Sequence, residues 1–98
     1  MKIFWSPKAR GDFEDILDYL SKEWGIKEVE SLIKKTDRVL NAIAQNPKMF
    51  VESSKRKNVR KGFITKHNSV FYLVKSRKKE VVLLTFWDNR QDPDKLIY

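Results

Sequence analysis

The side chains able to do chemistry in this 98-residue chain are few in kind. With no cysteine there is no thiolate nucleophile, no disulfide and no thiolate-bound metal. A single histidine, His67, excludes a multi-histidine metal centre, and three scattered glycines, Gly11, Gly25 and Gly62, do not build a phosphate-cradling loop. No metal and no cofactor are therefore expected. What the sequence does supply is positive charge, a net +8, whose natural chemistry is the binding of anions and the stabilisation of developing negative charge.

That charge is unevenly spread. Residues 1–46 are balanced, and residues 80–98 carry −2. Residues 47–79 hold Lys48, Lys55, Arg56, Lys57, Arg60, Lys61, Lys66, Lys75, Arg77, Lys78 and Lys79 against Glu52 alone, a local balance of +10. So concentrated a field attracts a polyanion or an acidic partner, because neutralising phosphates or carboxylates releases counterions and steers encounter. Lysines at turns also protect strand edges from unwanted pairing. Three basic clusters around one short sheet favour binding, with the cations gathered on the side away from the helices. Lys55, Arg56, Lys57, Arg60, Lys61, Arg77, Lys78, Lys79 and Arg90 are the candidate binding residues.

The elements that must position these groups are legible from spacing. Ile3, Phe4 and Trp5 suit a brief strand that stops at Ser6-Pro7, a helix-capping serine followed by a proline at the first helical position. Ala9, Phe13, Ile16, Leu17, Leu20 and Trp24 then recur at intervals of three and four, while Asp12, Glu14, Asp15 and Asp18 are placed to complement the helix macrodipole. Gly25 breaks this helix. A second stripe, Val29, Leu32, Ile33, Thr36, Val39, Leu40, Ile43 and Ala44, ends at Asn46-Pro47. Two helices separated by little more than Gly25 must fold back as a hairpin.

Residues 47–57 lack a period and read as a connection with Phe50 as an anchor. Runs at 59–65, 70–75 and 80–87 are rich in Val, Phe, Tyr and Leu, and their linkers, His67-Asn68-Ser69 and Arg77-Lys78-Lys79, are short enough for hairpins. The expectation is one α+β domain over residues 1–98, ordered β-α-α-β-β-β, with an antiparallel sheet packed against an N-terminal helical hairpin and the first strand added at an edge. Asp92 before Pro93 caps a final turn. Trp5, Trp24 and Trp87 are expected in the core. The opening residues lack the apolar core of a signal peptide, and the longest apolar run, residues 81–87, is too short to span a bilayer, so a soluble cytoplasmic protein without a membrane partner is expected.

The order and spacing of Ile3-Phe4-Trp5-Ser6-Pro7-Lys8-Ala9, Asn46-Pro47, Asn58-Val59-Arg60-Lys61, Val70-Phe71-Tyr72-Leu73-Val74 and the run from Val81 through Asp92-Pro93 resemble the RelE/ParE superfamily of bacterial toxins from type II toxin-antitoxin modules. The resemblance covers nearly the whole chain. It implies a growth-inhibiting toxin neutralised by a cognate antitoxin, with toxin and antitoxin assembled as a hetero-oligomer and an acidic antitoxin segment wrapped on the basic sheet. One branch of the superfamily cleaves messenger RNA in the ribosome and another poisons DNA gyrase, and fold does not choose between them.

A RelE-like endoribonuclease needs an acid or base for the 2′-hydroxyl and cations for the phosphorane-like charge. The resemblance offers Arg60, Lys66, Arg90 and Tyr98 for those catalytic roles. Two departures count against the nuclease: residues 69–74 carry no basic residue where such enzymes place arginine, and Leu96 stands about where a catalytic tyrosine belongs. The ParE-like, non-enzymatic action on gyrase is preferred, with the ribosome-dependent messenger RNA endonuclease as the alternative and a non-toxic basic nucleic-acid-binding module as a further one. Arg60 has a structural reading as well, an ion pair with a tail carboxylate such as Asp88, and Arg90 shares the ambiguity. His67 reads as an acid-base candidate or a solvated turn residue, and Tyr72 as a prop of the sheet.

Overall fold

A computed structural model describes all 98 residues. The elements run β1 (Lys2–Trp5), α1 (Pro7–Glu23), α2 (Ile26–Gln45), β2 (Val59–Phe63), β3 (Asn68–Lys75) and β4 (Glu80–Asp88), followed by a short 3-10 turn at Pro93–Lys95. The expected order is confirmed. The four strands lie in the order β1-β4-β3-β2, so the sheet is mixed: β2, β3 and β4 form the antiparallel meander, whereas β1 joins β4 in parallel. No helix is long and apolar enough to cross a membrane.

Local chemistry sets the helix ends. Ser6 caps α1 through its hydroxyl, which accepts from the Ala9 N–H at 3.0 Å, and Pro7 opens the first turn. The acidic residues do not fall where the macrodipole reading placed them, since the first turn of α1 holds none. Between the helices Gly25 has φ 94° and ψ −177°, a backbone conformation that only glycine adopts without strain, and it caps α2.

The buried core joins Ala9, Leu40 and Ile43 from the helices to Val70, Tyr72, Val74, Val81, Leu83 and Phe86 from β3 and β4. Trp5 packs against it, stacked on Phe86 with ring centroids 5.2 Å apart. Trp24 corrects the expectation of burial: it is 70% exposed, because as the C-cap residue it lies past the last turn of α1, at the hairpin tip.

Leu83 and Phe86 both face the core although three residues apart, against the period of two that a regular strand obeys. The register explains it. Leu83 lies opposite Tyr72 and Thr85 opposite Phe71, leaving Leu84 as an extra residue, a β-bulge. Its carbonyl accepts from the Ser6 hydroxyl at 3.1 Å, and the Leu83 carbonyl accepts from the Ser6 N–H at 3.1 Å. The helix cap is thus fastened to the bulge. One turn further on, the Asp12 carboxylate accepts from the Thr85 hydroxyl and, at 3.3 Å, from the Phe86 N–H, while Lys8 pairs with it at 3.1 Å.

The β2–β3 connection also differs from the expected turn at His67-Asn68-Ser69. The Thr65 hydroxyl accepts from the N–H groups of His67 and Asn68, closing the chain earlier, so that Asn68 and Ser69 already belong to β3.

Asp12→Ala removes the acceptor for a main-chain N–H and a buried hydroxyl and should destabilise the fold by about 1–3 kcal/mol. Glu14→Ala, at an exposed position of the same helix, should change stability by less than about 0.5 kcal/mol. Urea denaturation of both variants checks the contrast.

Candidate functional site

The helices cover one face of the sheet, and the site lies on the other. On β3 the alternation that sends Val70, Tyr72 and Val74 into the core turns Phe71 outward. Opposite Phe71 on β2 is Lys61, whose ammonium lies 5.2 Å from the centre of the Phe63 ring and 5.7 Å from that of Phe71. After β4 the chain returns across this face. Asp92 caps the short turn, its carboxylate accepting from the Asp94 N–H at 3.0 Å, and the tail ends with Tyr98 stacked on Phe71, centroids 4.7 Å apart and planes at 19°.

The far wall comes from the connection after α2. The Ser53 and Tyr98 hydroxyls share a hydrogen bond, and the Lys55 ammonium donates to the Pro93 carbonyl at 3.0 Å. The half-open cleft measures about 410 Å³, with Glu52, Lys55, Lys61, Phe63, Phe71, Trp87, Asn89, Leu96 and Tyr98 among its lining residues. Two ammonium groups on an aromatic floor fit an extended anionic segment whose carboxylates meet the lysines while its apolar side chains lie on the rings.

The connection that carries Ser53 and Lys55 is held from the core side. Tyr72, fully buried, donates its hydroxyl to the Pro47 carbonyl at 2.8 Å. Burial pushes its phenol up to about 12, against the lowering effect of the neighbouring Arg60 charge, so it stays neutral and remains a donor. Arg60 lies opposite Tyr72 and donates to the Phe50 carbonyl at 2.6 Å and the Lys48 carbonyl at 3.4 Å, with Glu52 3.8 Å away. Gly62 completes the fit, since a Cβ there would meet the Phe50 ring and Val70 at 3.3 Å.

The four residues offered for catalysis do not converge. Tyr98 lies in the cleft. Arg60 projects to the core side of the sheet and is held by carbonyls, its partner not being the expected Asp88. Arg90 makes a two-point pair with Asp88, at 2.8 and 3.0 Å, in a separate groove beside Asp15 and Tyr19. Lys66 lies with His67 and Lys35 in a third. Of the expected binding residues, Lys55 and Lys61 are in the cleft, Arg56 and Lys57 are exposed in the connection, and Arg77, Lys78 and Lys79 form the β3–β4 turn at one end of the sheet. The cations thus occupy several separate places and not one side, which corrects the single-surface expectation. No cluster of three His, Asp or Glu side chains is placed to hold a metal.

Sequence reasoning missed Ser53, Phe71, Trp87 and Asn89. The alternation around Tyr72 could have placed Phe71 outward, but no sequence signal announces that the tail folds back over it.

Residues 3–93 match the family described as ParE toxin of type II toxin-antitoxin system, parDE. Among solved structures, the chain is similar to a chromosomal ParDE system from P. aeruginosa, with 20% identity over 90% of this chain and 95% of that one and a TM-score of 0.74. It is also similar to a YoeB/ParE toxin from Agrobacterium tumefaciens, with 12% identity, 91% and 99% coverage and a TM-score of 0.64. The E. coli RelBE toxin-antitoxin complex aligns at 14% identity, 92% and 98% coverage and a TM-score of 0.61. No curated protein sequence matches significantly.

The hydrogen bonds from the Arg90 side chain hold the Asp88 carboxyl below its ordinary range, with partial burial opposing them. A carboxyl depressed in the folded state contributes stability that is complete above its unfolded value, about 3.9, and is lost as pH falls through the folded value. Asp88→Asn should therefore flatten the acid limb of the stability curve below about pH 4, as read by urea midpoints across a pH series.

Proposed function

Because the chain belongs to the ParE toxin family of type II toxin-antitoxin systems, we propose that it arrests growth by a ParE-like action on DNA gyrase, as a cytoplasmic protein that catalyses no reaction. A cognate antitoxin silences it by laying an acidic segment in the cleft between the outer sheet face and the C-terminal tail, forming a hetero-oligomer.

The composition of the cleft is the observation that carries this reading. Its walls include four aromatic rings and two lysines against one carboxylate, Glu52, which faces Arg60, and this favours capture of an acidic, partly apolar peptide. Acid-base attack on RNA would call for a titrating group beside cations that converge on one phosphate. The sole imidazole lies in another groove, Arg90 is occupied by Asp88, and Arg60 by main-chain carbonyls. Of the outward positions of β3, Ser69, Phe71 and Leu73 bear no cation, and Lys75 lies at the far end of the strand beside the β3–β4 turn. Family membership supports the gyrase branch independently.

On induction without antitoxin, the DNA-damage response and accumulation of gyrase-cleaved DNA should precede any fall in protein synthesis. Early loss of translation with transcripts cut at ribosomes would instead assign the RelE-like endonuclease activity. For the partner site, the double variant Lys55→Glu/Lys61→Glu should weaken antitoxin capture by roughly tenfold or more, as measured by calorimetry, because it puts like charges against the acidic segment. Unchanged affinity would place the antitoxin on another surface.

A further inference from the structure

We infer that the end of the sheet built around the β3–β4 turn is a contact for the phosphate backbone of double-stranded DNA. The turn between Lys75 and Glu80 is Ser76-Arg77-Lys78-Lys79. Beside it lies the end of the connection, Lys57-Asn58, tied to β3 where the Val74 N–H donates to the Asn58 carbonyl at 2.9 Å. Between the two is an open hollow of about 490 Å³, with Asn58 on one side and residues 75–78 on the other. None of the chain's three ion pairs includes a cation from this end, so Lys57, Lys75, Arg77, Lys78 and Lys79 remain without a carboxylate partner.

The backbone adds a second, independent observation. Lys79 has φ 56° and Asn58 has φ 66°, the only non-glycine residues in the left-handed region. Asparagine tolerates that conformation, whereas a lysine held there costs stability that glycine would not. The turn is closed by Lys79 itself, its N–H donating to the Ser76 carbonyl at 3.2 Å and its carbonyl accepting from the Lys2 N–H at 3.1 Å. Strain kept at a position where glycine would serve the backbone better points to a use for the side chain.

The chemistry of the hollow selects the ligand. Its walls carry no aromatic ring, so nothing there stacks the bases of a single strand. It also lacks the exposed aromatic anchor that a protein interface is usually built on. Unpaired cations on long stems, spread over two adjacent loops, suit a regular row of phosphates read without regard to sequence. This contact stands apart from the cleft and does not depend on which process the toxin stops.

The test is the salt dependence of binding of the full chain to a fluorescently labelled DNA duplex of mixed sequence. Arg77→Ala/Lys78→Ala/Lys79→Ala should weaken binding and make the slope of log Kobs against log [salt] less negative by about 2–3. The triple Lys27→Ala/Lys34→Ala/Arg38→Ala, which removes as much charge from α2, should leave the slope nearly unchanged. Lys79→Gly should raise the melting temperature while it weakens duplex binding. The inference is overturned if both triples change the slope equally, if Lys79→Gly binds as tightly as the parent, or if a single strand binds better than the duplex. It is equally overturned if the turn variants lose affinity for a poly-glutamate peptide but not for DNA. Circular dichroism of each variant separates these outcomes from loss of fold.

Discussion

Everything at the cleft depends on two core-side donors that hold the connection between α2 and β2 by its carbonyls. Tyr72 and Arg60 face each other across β3 and β2, and between them they engage the carbonyls of Pro47, Lys48 and Phe50. A segment with no period of its own would ordinarily be mobile. Here three main-chain acceptors are satisfied by groups that cannot easily change state, a phenol kept neutral by burial and a guanidinium that is permanently charged. Farther along the connection, main-chain bonds join Ser53 and Val51 to β2, through the Val59 carbonyl and the Lys61 N–H. Ser53 and Lys55 are thereby presented to the tail, and the tail can close over the sheet.

The sheet divides the labour. Its inner face is committed to the helices, and that commitment is unusually direct at β4, where the Leu84 bulge turns carbonyls toward Ser6 and brings Thr85 and the Phe86 N–H to Asp12. Because β4 is central, with β1 on one side and β3 on the other, fixing it against α1 fixes the whole layer. The outer face is then free to carry side chains whose identity the fold does not dictate. Structures named for ParE and for RelE share this framework at 12–20% identity, as expected if activity resides in outward-facing and loop residues.

The element order was readable because each piece carries its own signal: Ser6-Pro7, the two apolar stripes, Asn46-Pro47 and the β-rich runs. The parallel pairing of β1 was not, since a short apolar strand states no direction. Nor was the bulge, because residues 81–87 are apolar except for Thr85, and an apolar run conceals a lost register that an alternating one would expose. The basic character of the cleft was legible through Lys55 and Lys61. Its aromatic floor and its closure by Tyr98 were not, because they arise from contacts between β3, the connection and the tail that lie far apart in sequence. Trp24 failed for a related reason: a periodic stripe says which way a residue points but not whether the helix still has a neighbour there.

The surplus charge likewise separates by environment. Arg60 and Arg90 are both immobilised, one by carbonyls on the core side and the other by a carboxylate in a groove of its own. A guanidinium tied at two points is held in one orientation, so these two act chiefly by fixing the groups around them. Lys55 and Lys61 are restrained in a different way, by a tail carbonyl and by aromatic rings. Those contacts leave an ammonium with donors to spare, which suits the proposed capture of an acidic segment. The lysines and arginine around the β3–β4 turn are exposed and without a carboxylate partner, so their long-range field is the least compensated. The basic residues thus resolve into structural clamps, an aromatic cleft with two lysines and an open cationic end, distinguished by the folded surroundings of each side chain and not by their places along the chain.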